Sequence, residues 1–199
     1  FYPSARSLVL GQLSIVVFGF VVLALWAMRA RRDALAGCAL ALATIKPQMV
    51  LLILPLILVW AWSESRRDLV RWFGLTMVVL IGASLALLPS WPLEFWQSAN
   101  QYAGYFDSLS PLQVMLGEAG GLIAGALASL AFTVIAWREW RRGSLRAWLE
   151  RLVMLSIVTT ALIAVHTSTT NQVMLILPLA FFTRRREHRP TSPSQLPTP

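Results

Sequence analysis

Two of the 17 Lys and Arg residues stand apart from the others along the chain. Arg6 lies near the start of the sequence and Lys46 lies between two apolar stretches, whereas the remaining basic residues form four clusters. A lysine ammonium binds phosphate as a compact point charge, and an arginine guanidinium binds it as a planar fork. Because a cation deep in an apolar segment is expensive unless an anion completes it, we expect Lys46, helped by Arg6, to bind a phosphate group.

Uncharged polar side chains accompany these cations. They are Gln12, Gln48, and a wholly polar run from His166 to Gln172 that includes Asn171. Amide, hydroxyl and imidazole groups orient a ligand through hydrogen bonds. We therefore interpret the set as a site for an anionic headgroup carried on a lipid, with a polyprenyl chain lying along the helices.

Each of these residues also has a plainer interpretation. Gln12 can bond a neighbouring helix, Arg6 can contact lipid headgroups, and Lys46 can snorkel from a single tilted helix. The hypothesis of a common site depends on the coincidence of the groups rather than on any one of them.

General-base chemistry towards a hydroxyl needs a carboxylate near such a site. Glu94 and Asp107 lie in an aromatic loop, where solvated structural roles are commoner, and Glu118 lies among glycines near the expected membrane boundary. Glu118 is therefore the remaining, weak candidate for a catalytic base. The sequence has no metal-ligand spacing, phosphate loop or Ser-His-Asp pattern, so we expect neither a metal nor a cofactor.

The elements that must position Lys46 are two short apolar segments, residues 34–45 and 49–62. Each is too short to cross a bilayer, which takes about 20 helical residues. Basic clusters bound the stretch on both sides, and short basic loops stay in the cytoplasm. Pro47 disfavours helix before it and suits the first turn of a new helix. The pattern predicts a hairpin of two short helices with Lys46 at its outward-facing tip.

A second stretch has the same pattern. Apolar residues 152–165 and 173–182 flank the polar run 166–172, and basic residues lie at both ends. We predict a second short hairpin whose polar tip lines a watery cavity, because backbone and side-chain polar groups need partners within a membrane.

Three further segments have the length of membrane spans: residues 8–28, 72–88 and 114–137. The last is dense in glycine and alanine, which lets helices approach closely, so we expect it to lie inside the bundle. Between the last two, an interfacial helix is predicted over residues 93–105.

Composition sets the broad class. A hydrophobic share of 57%, a charged share of 13% and a mean hydropathy of +0.64 are typical of an integral membrane protein. The net charge of +8 comes from basic clusters between the apolar segments, which are typical of cytoplasmic loops, and is no sign of nucleic-acid binding. We predict an all-α, polytopic transmembrane helical bundle with two short re-entrant-like helical hairpins. Residues 1–183 would form a transmembrane domain, a fragment of a longer one, and residues 184–199 a disordered, basic, proline-rich cytoplasmic tail.

Two motifs carry a resemblance to a known family. Gly11-Gln12 heads a long apolar segment, and Ala-Leu-Ala-Thr-Ile-Lys46-Pro47-Gln48 leads into a Leu-rich segment that reaches Pro55. In these motifs the chain resembles glycosyltransferase family 87, and the likeness runs from Arg6 to Phe182. The resemblance implies the type C glycosyltransferase fold and a relation to polyprenyl-phosphate-mannose-dependent mannosyltransferases.

That resemblance implies an activity and a location. The enzyme would move a hexose, by this analogy mannose, from a polyprenyl-phosphate sugar donor to a lipid or glycan acceptor. The protein would be a multi-pass protein of the plasma membrane, surrounded by membrane lipids, with its active site facing outside. Two other functions stay open: a lipid-phosphate transporter or flippase-like binder, and a non-catalytic membrane scaffold.

The resemblance also implies residue roles. Lys46 and Arg6 would stabilise the departing phosphate, where fixed cations help most. The remaining polar groups would orient donor or acceptor, and they are Gln12, Gln48, His166 and Asn171. In the family the catalytic aspartate lies in the first outer loop, ahead of the residues of this sequence, so the implied base lies upstream.

Overall fold

The computed structural model describes residues 13–105, 109–143, 145–164 and 169–187. Within these ranges the chain is helical and contains no strand, which confirms the all-α prediction for this part of the protein. The helices, in chain order, are α1 (Ser14–Arg29), α2 (Asp33–Ala43), α3 (Pro47–Val50), α4 (Ile53–Ser63), α5 (Arg67–Leu87), α6 (Trp91–Tyr105), α7 (Pro111–Leu116), α8 (Glu118–Arg141), α9 (Leu145–Ile163), a 3-10 helix (Thr169–Leu175) and α10 (Ile176–Glu187).

The core lies between α1, α2, α4 and α9. Its largest fully buried side chains include Val21 on α1, Leu40 on α2, Ile57 on α4 and Ile157 on α9. α2 also packs closely on α5 at Gly37, where an added Cβ would lie 2.4 Å from the carbonyl oxygen of Leu69. The short helices around Lys46 are thus held by the best-packed part of the molecule.

Two helices, α5 with 21 residues and α8 with 24, are long and apolar enough to cross a membrane. At the helical rise they extend about 31 and 36 Å, which matches a hydrocarbon core of about 30 Å. Their apolar windows are only 6% and 11% buried. A core helix of a soluble protein would be mostly buried, so these two helices present apolar surface outward.

The first predicted hairpin has the expected ends. Asp33 at the start of α2 forms an ion pair with Arg66, which directly precedes α5. α2 and α4 have 11 residues each and rise about 16 Å. The chain therefore returns to the end from which it left, and the alternative of a single tilted helix is wrong.

The returning arm of this hairpin differs from the prediction, because α3 and α4 are separate helices rather than one. Pro55 lies in the first turn of α4 and has no N–H to bond to the carbonyl of Leu51. A continuous helix would need that bond, so the break falls between α3 and α4.

The second hairpin consists of α9, the 3-10 helix and α10, and these three elements pack on one another. The 3-10 helix also packs on α1. α10 continues to Glu187 and so includes residues 184–187, the first four of the segment predicted as a tail. Arg and Glu are good helix formers, which lets the helix run past its apolar part. Residues 188–199 lie outside the described ranges.

The predicted span 114–137 is interrupted at Gly117, whose φ of 77° separates α7 from α8. Glycine adopts this left-handed conformation without strain. The prediction that this span lies inside the bundle is wrong for most of α8, because Leu122, Leu127 and other apolar side chains are exposed. Among the glycines of α8, the closest approach is at Gly121, where an added Cβ would lie 2.2 Å from Cα of Gln113 on α7.

Candidate functional site

Three residues that are far apart in the sequence form one hydrogen-bonded chain. Lys46 Nζ donates to Ser14 Oγ at 2.7 Å, and Ser14 Oγ donates to Asn171 Oδ1 at 3.0 Å. Ser14 is fully buried and Asn171 is 6% exposed, whereas Lys46 is half-buried. The hydrogen bond to Ser14 fixes the ammonium end of the Lys46 side chain, while part of the residue stays accessible to solvent or to a ligand.

Ser14 and Lys46 lie at helix boundaries, and Asn171 lies within the 3-10 helix. Ser14 is the first residue of α1, and Asn171 lies in the 3-10 helix that packs against α1. Lys46 precedes Pro47, which occupies the first position of α3. Proline suits that position because its fixed φ is helical and the missing N–H would have no partner there. The Lys-Pro motif thus places the ammonium at a bend between two helices.

A small cavity lies beside this chain. It has a volume of about 10 Å³, room for about one water molecule, and its wall includes Gln48, Thr160 and Asn171. Asn171 Nδ2 and Thr160 Oγ1 are both buried without a hydrogen-bond partner among the described residues. An unpaired buried donor of this kind costs about 1–3 kcal/mol, so this pocket favours a small polar guest.

A much larger cavity, of about 510 Å³, opens on the other side of Gln48. Its volume falls within the range of small-molecule sites, which are mostly apolar with a few polar groups. Apolar and small residues dominate its wall; the lining residues are Pro47, Gln48, Leu51, Ser110, Gln113, Gly121, Leu122, Gly125, Ala126, Ser129, Ile163 and Ala164. Gln48 therefore lies between the small cavity that borders Asn171 and the apolar chamber.

One wall of this chamber is built by a helix cap that sequence reasoning missed. Ser110 Oγ accepts from the backbone N–H of Gln113 at 3.3 Å, and Gln113 Oε1 accepts from the backbone N–H of Ser110 at 2.8 Å. This reciprocal pair is a capping box, whose sequence signature is Ser followed three residues later by Gln. That signal was present in the sequence. Ser14 was also missed, because a serine at the edge of an apolar helix carries no comparable signature.

The structure brings together only some of the predicted site residues. Lys46 and Asn171 are joined through Ser14, and Gln48 lines the small cavity together with Asn171. The other predicted orienting and phosphate-binding residues lie outside the described ranges; they are Arg6, Gln12 and His166.

Glu118, the weak candidate for a base, is the first residue of α8 and is exposed. It lines neither of the two cavities beside Gln48. A general base must lie within hydrogen-bond reach of the proton that it removes, so the position of Glu118 does not favour that role. Among the described residues, no group of three or more His, Cys, Asp and Glu side chains could hold a metal ion.

Comparison with known proteins gives one match. No curated protein and no solved structure matches the sequence. The family model for glycosyltransferase family 87 matches residues 1–165 of the 199, a range that includes Ser14, Lys46 and Gln48. Because the match covers most of the chain and agrees with the Gly-Gln and Lys-Pro motifs, the chain belongs to glycosyltransferase family 87.

Proposed function

We propose that the protein transfers a hexose, with mannose as the leading candidate, from a polyprenyl-phosphate donor to an outward-facing lipid or glycan acceptor. The observation that carries this proposal is the position of Lys46. Its ammonium donates to Ser14, which in turn donates to Asn171, and the two residues that follow Lys46, Pro47 and Gln48, line an apolar chamber of about 510 Å³. A cation beside an apolar chamber suits a phosphate attached to a hydrocarbon chain.

The proposed setting is a plasma membrane that the chain crosses several times. α5 and α8 support this, because both are long and apolar and few of their residues are buried. The Arg-rich ends of α1 and α5 lie at the Asp33–Arg66 end of the bundle, and short basic loops stay in the cytoplasm. Lys46, at the other end of α2, would then face outside. In this proposal residues 1–183 form the membrane domain.

Lys46 would act on the leaving group. During transfer the bond between the sugar C1 and the donor phosphate oxygen breaks, and a bond forms between C1 and the acceptor oxygen. The departing polyprenyl phosphate gains negative charge, which a fixed ammonium in a dry site stabilises. The proton of the acceptor hydroxyl passes to a general base, which we place outside the described residues, as the family resemblance implies.

The other residues would position the reactants. Ser14 and Asn171 orient Lys46, and Gln48 would hydrogen-bond the sugar or the phosphate at the edge of the chamber. We retain Arg6 as a second phosphate contact. Gln12 and His166 are retained as orienting residues.

The test is sugar transfer by the full-length protein in lipid vesicles, with a polyprenyl-phosphate hexose as donor. Lys46→Met should lower kcat by about 10²–10³, the range found when one preorganised group at a developing charge is removed. Lys46→Arg should recover part of the activity, since a planar fork does not replace a point charge.

Ser14→Ala is the matched control. It removes the anchor of Lys46 but keeps the cation, so transfer should fall by only about fivefold, the value of one neutral hydrogen bond of about 1 kcal/mol. Equal losses in Lys46→Met and Ser14→Ala would mean that Lys46 is structural, and would contradict the proposal. Donor binding that depends on Lys46 without any sugar transfer would favour the transporter or flippase-like alternative.

A further inference from the structure

A second large cavity lies at the opposite end of α1 from the Lys46 site. Its volume is about 500 Å³, and it includes Arg29, the last residue of α1. Ser14 is the first residue of the same helix, which places the two sites about 22 Å apart along its axis. The proposed sugar transfer makes no use of this cavity.

The cavity combines apolar walls with three guanidinium groups. Val22, Leu25 and Val153 belong to the apolar part, and Arg29, Arg31 and Arg66 to the charged part. A pocket with this division suits a molecule that has an anionic head and hydrocarbon chains.

Of the three arginines that line the cavity, two are in ion pairs and one is not. Arg29 Nη2 lies 2.7 Å from Glu150 Oε1. Arg66 pairs with Asp33 and also donates to the carbonyl of Met28 at 3.1 Å. Arg31 has no ion-pair partner among the described residues. One unmatched guanidinium complements the single negative charge of a phosphodiester.

A buried donor borders the same space. Trp60 lines the cavity, is 6% exposed, and its Nε1 has no hydrogen-bond partner among the described residues. The guanidinium of Arg66 lies over the Trp60 ring, 5.0 Å from its centroid. An unpaired N–H inside a protein costs free energy, and an oxygen acceptor in the cavity would remove that cost.

We infer that this cavity binds an anionic glycerophospholipid, with its phosphodiester at Arg31 and its acyl chains along the apolar walls. The apolar walls favour a lipid over a free phosphate ion. The inference shares with the proposed function only the placement of the chain in a membrane. On the cytoplasmic side, where the basic loops are expected, the lipid would belong to the inner leaflet.

The backbone of Arg31 offers a selective test. Arg31 has a φ of 58°, a left-handed conformation that glycine adopts more easily. It follows α1 in a turn where Arg32 N–H donates to the carbonyl of Ala27 at 2.9 Å. Ser65, with a φ of 57°, occupies the equivalent turn after α4, where Arg66 N–H donates to the carbonyl of Ala61 at 2.8 Å. Arg31→Gly therefore removes the cation while relieving strain, and Ser65→Gly relieves the same strain without changing charge.

The experiment measures thermal unfolding of the full-length protein in nonionic detergent during titration with phosphatidylglycerol, phosphatidylcholine or inorganic phosphate. Phosphatidylglycerol should stabilise the wild type in a saturable way, while the other two should not. Arg31→Gly should unfold at the wild-type temperature or higher without lipid, and should bind phosphatidylglycerol about fivefold more weakly, the contribution of one basic residue at an anionic lipid surface. Ser65→Gly should bind it like the wild type.

Three results would overturn the inference. Wild-type affinity in Arg31→Gly would show that Arg31 takes no part in binding. Equal stabilisation by phosphatidylcholine would show that the headgroup charge is not recognised, and equal stabilisation by inorganic phosphate would indicate a soluble anion. Since the titration contains no sugar donor or acceptor, its failure leaves the test of sugar transfer unaffected.

Discussion

Arg66 and Asp33 form an ion pair that joins the two ends of the hairpin carrying Lys46. The Nε of Arg66 also bonds Asp33 Oδ2 at 3.1 Å, so the contact has two hydrogen bonds. Side-chain exposure is 6% for Arg66 and 22% for Asp33. This contact links the start of α2 to the start of α5 at the basic end of the bundle.

Breaking this pair should destabilise the fold. Arg66→Met leaves the Asp33 carboxylate largely buried without its partner, and such a change costs about 3 kcal/mol, the lower end of the range for buried pairs because Asp33 is partly exposed. Thermal or denaturant unfolding in detergent measures the loss. Arg71→Met is the control, since the Arg71–Asp68 pair at 3.2 Å is exposed and should matter by less than about 0.5 kcal/mol. Similar losses in both variants would contradict this account.

The orientation of the hairpin can be tested by labelling. In a Cys38→Ser background, single cysteines at positions 31 and 67 should react with an impermeant maleimide only after cells are permeabilised. A cysteine at position 46 should react in intact cells. The reason is that the basic ends are expected to stay in the cytoplasm. Labelling of positions 31 and 67 from opposite sides would exclude the proposed topology.

Sugar transfer should slow when a larger side chain fills the chamber beside Gln48. Ala126 on α8 lines it, so Ala126→Phe should lower kcat/KM for sugar transfer by about tenfold, equivalent to about 1.4 kcal/mol. Ala131→Phe makes the same change at an exposed position of α8 that does not line the chamber. Steady-state kinetics in vesicles should show little effect of this control. An unaffected Ala126→Phe enzyme would mean that neither substrate enters the chamber.

The contact between α2 and α5 should be intolerant of a single methyl group. An added Cβ on Gly37 would lie 2.4 Å from Leu69 O and 2.7 Å from Phe73 N. Gly37→Ala must therefore separate the two helices, at a cost of about 1–3 kcal/mol. Gly74→Ala on α5 meets nothing within 4 Å and should stabilise the helix by about 0.5–1 kcal/mol. The opposite signs, measured by unfolding in detergent, distinguish packing from helix propensity.

Much of the fold follows from local sequence signals. Segments too short for a span, bounded by basic residues and divided by Lys46-Pro47, predict a returning hairpin, and the Asp33–Arg66 pair agrees with it. The same reasoning failed for α8. Its small residues predicted an interior helix, but small side chains permit close packing without requiring it. The closest approach to a glycine of α8 is at Gly121, whereas most of the helix is not buried.

For the candidate site too, some features could be predicted from the sequence and others could not. By itself the sequence determined that Lys46, Gln48 and Asn171 are unusual polar residues, because they interrupt apolar segments. Only the tertiary structure decided that Ser14 joins Lys46 to Asn171, a contact across 157 positions of the chain. The physical reason is that this contact depends on the 3-10 helix packing against the start of α1. No local propensity of either segment specifies that arrangement.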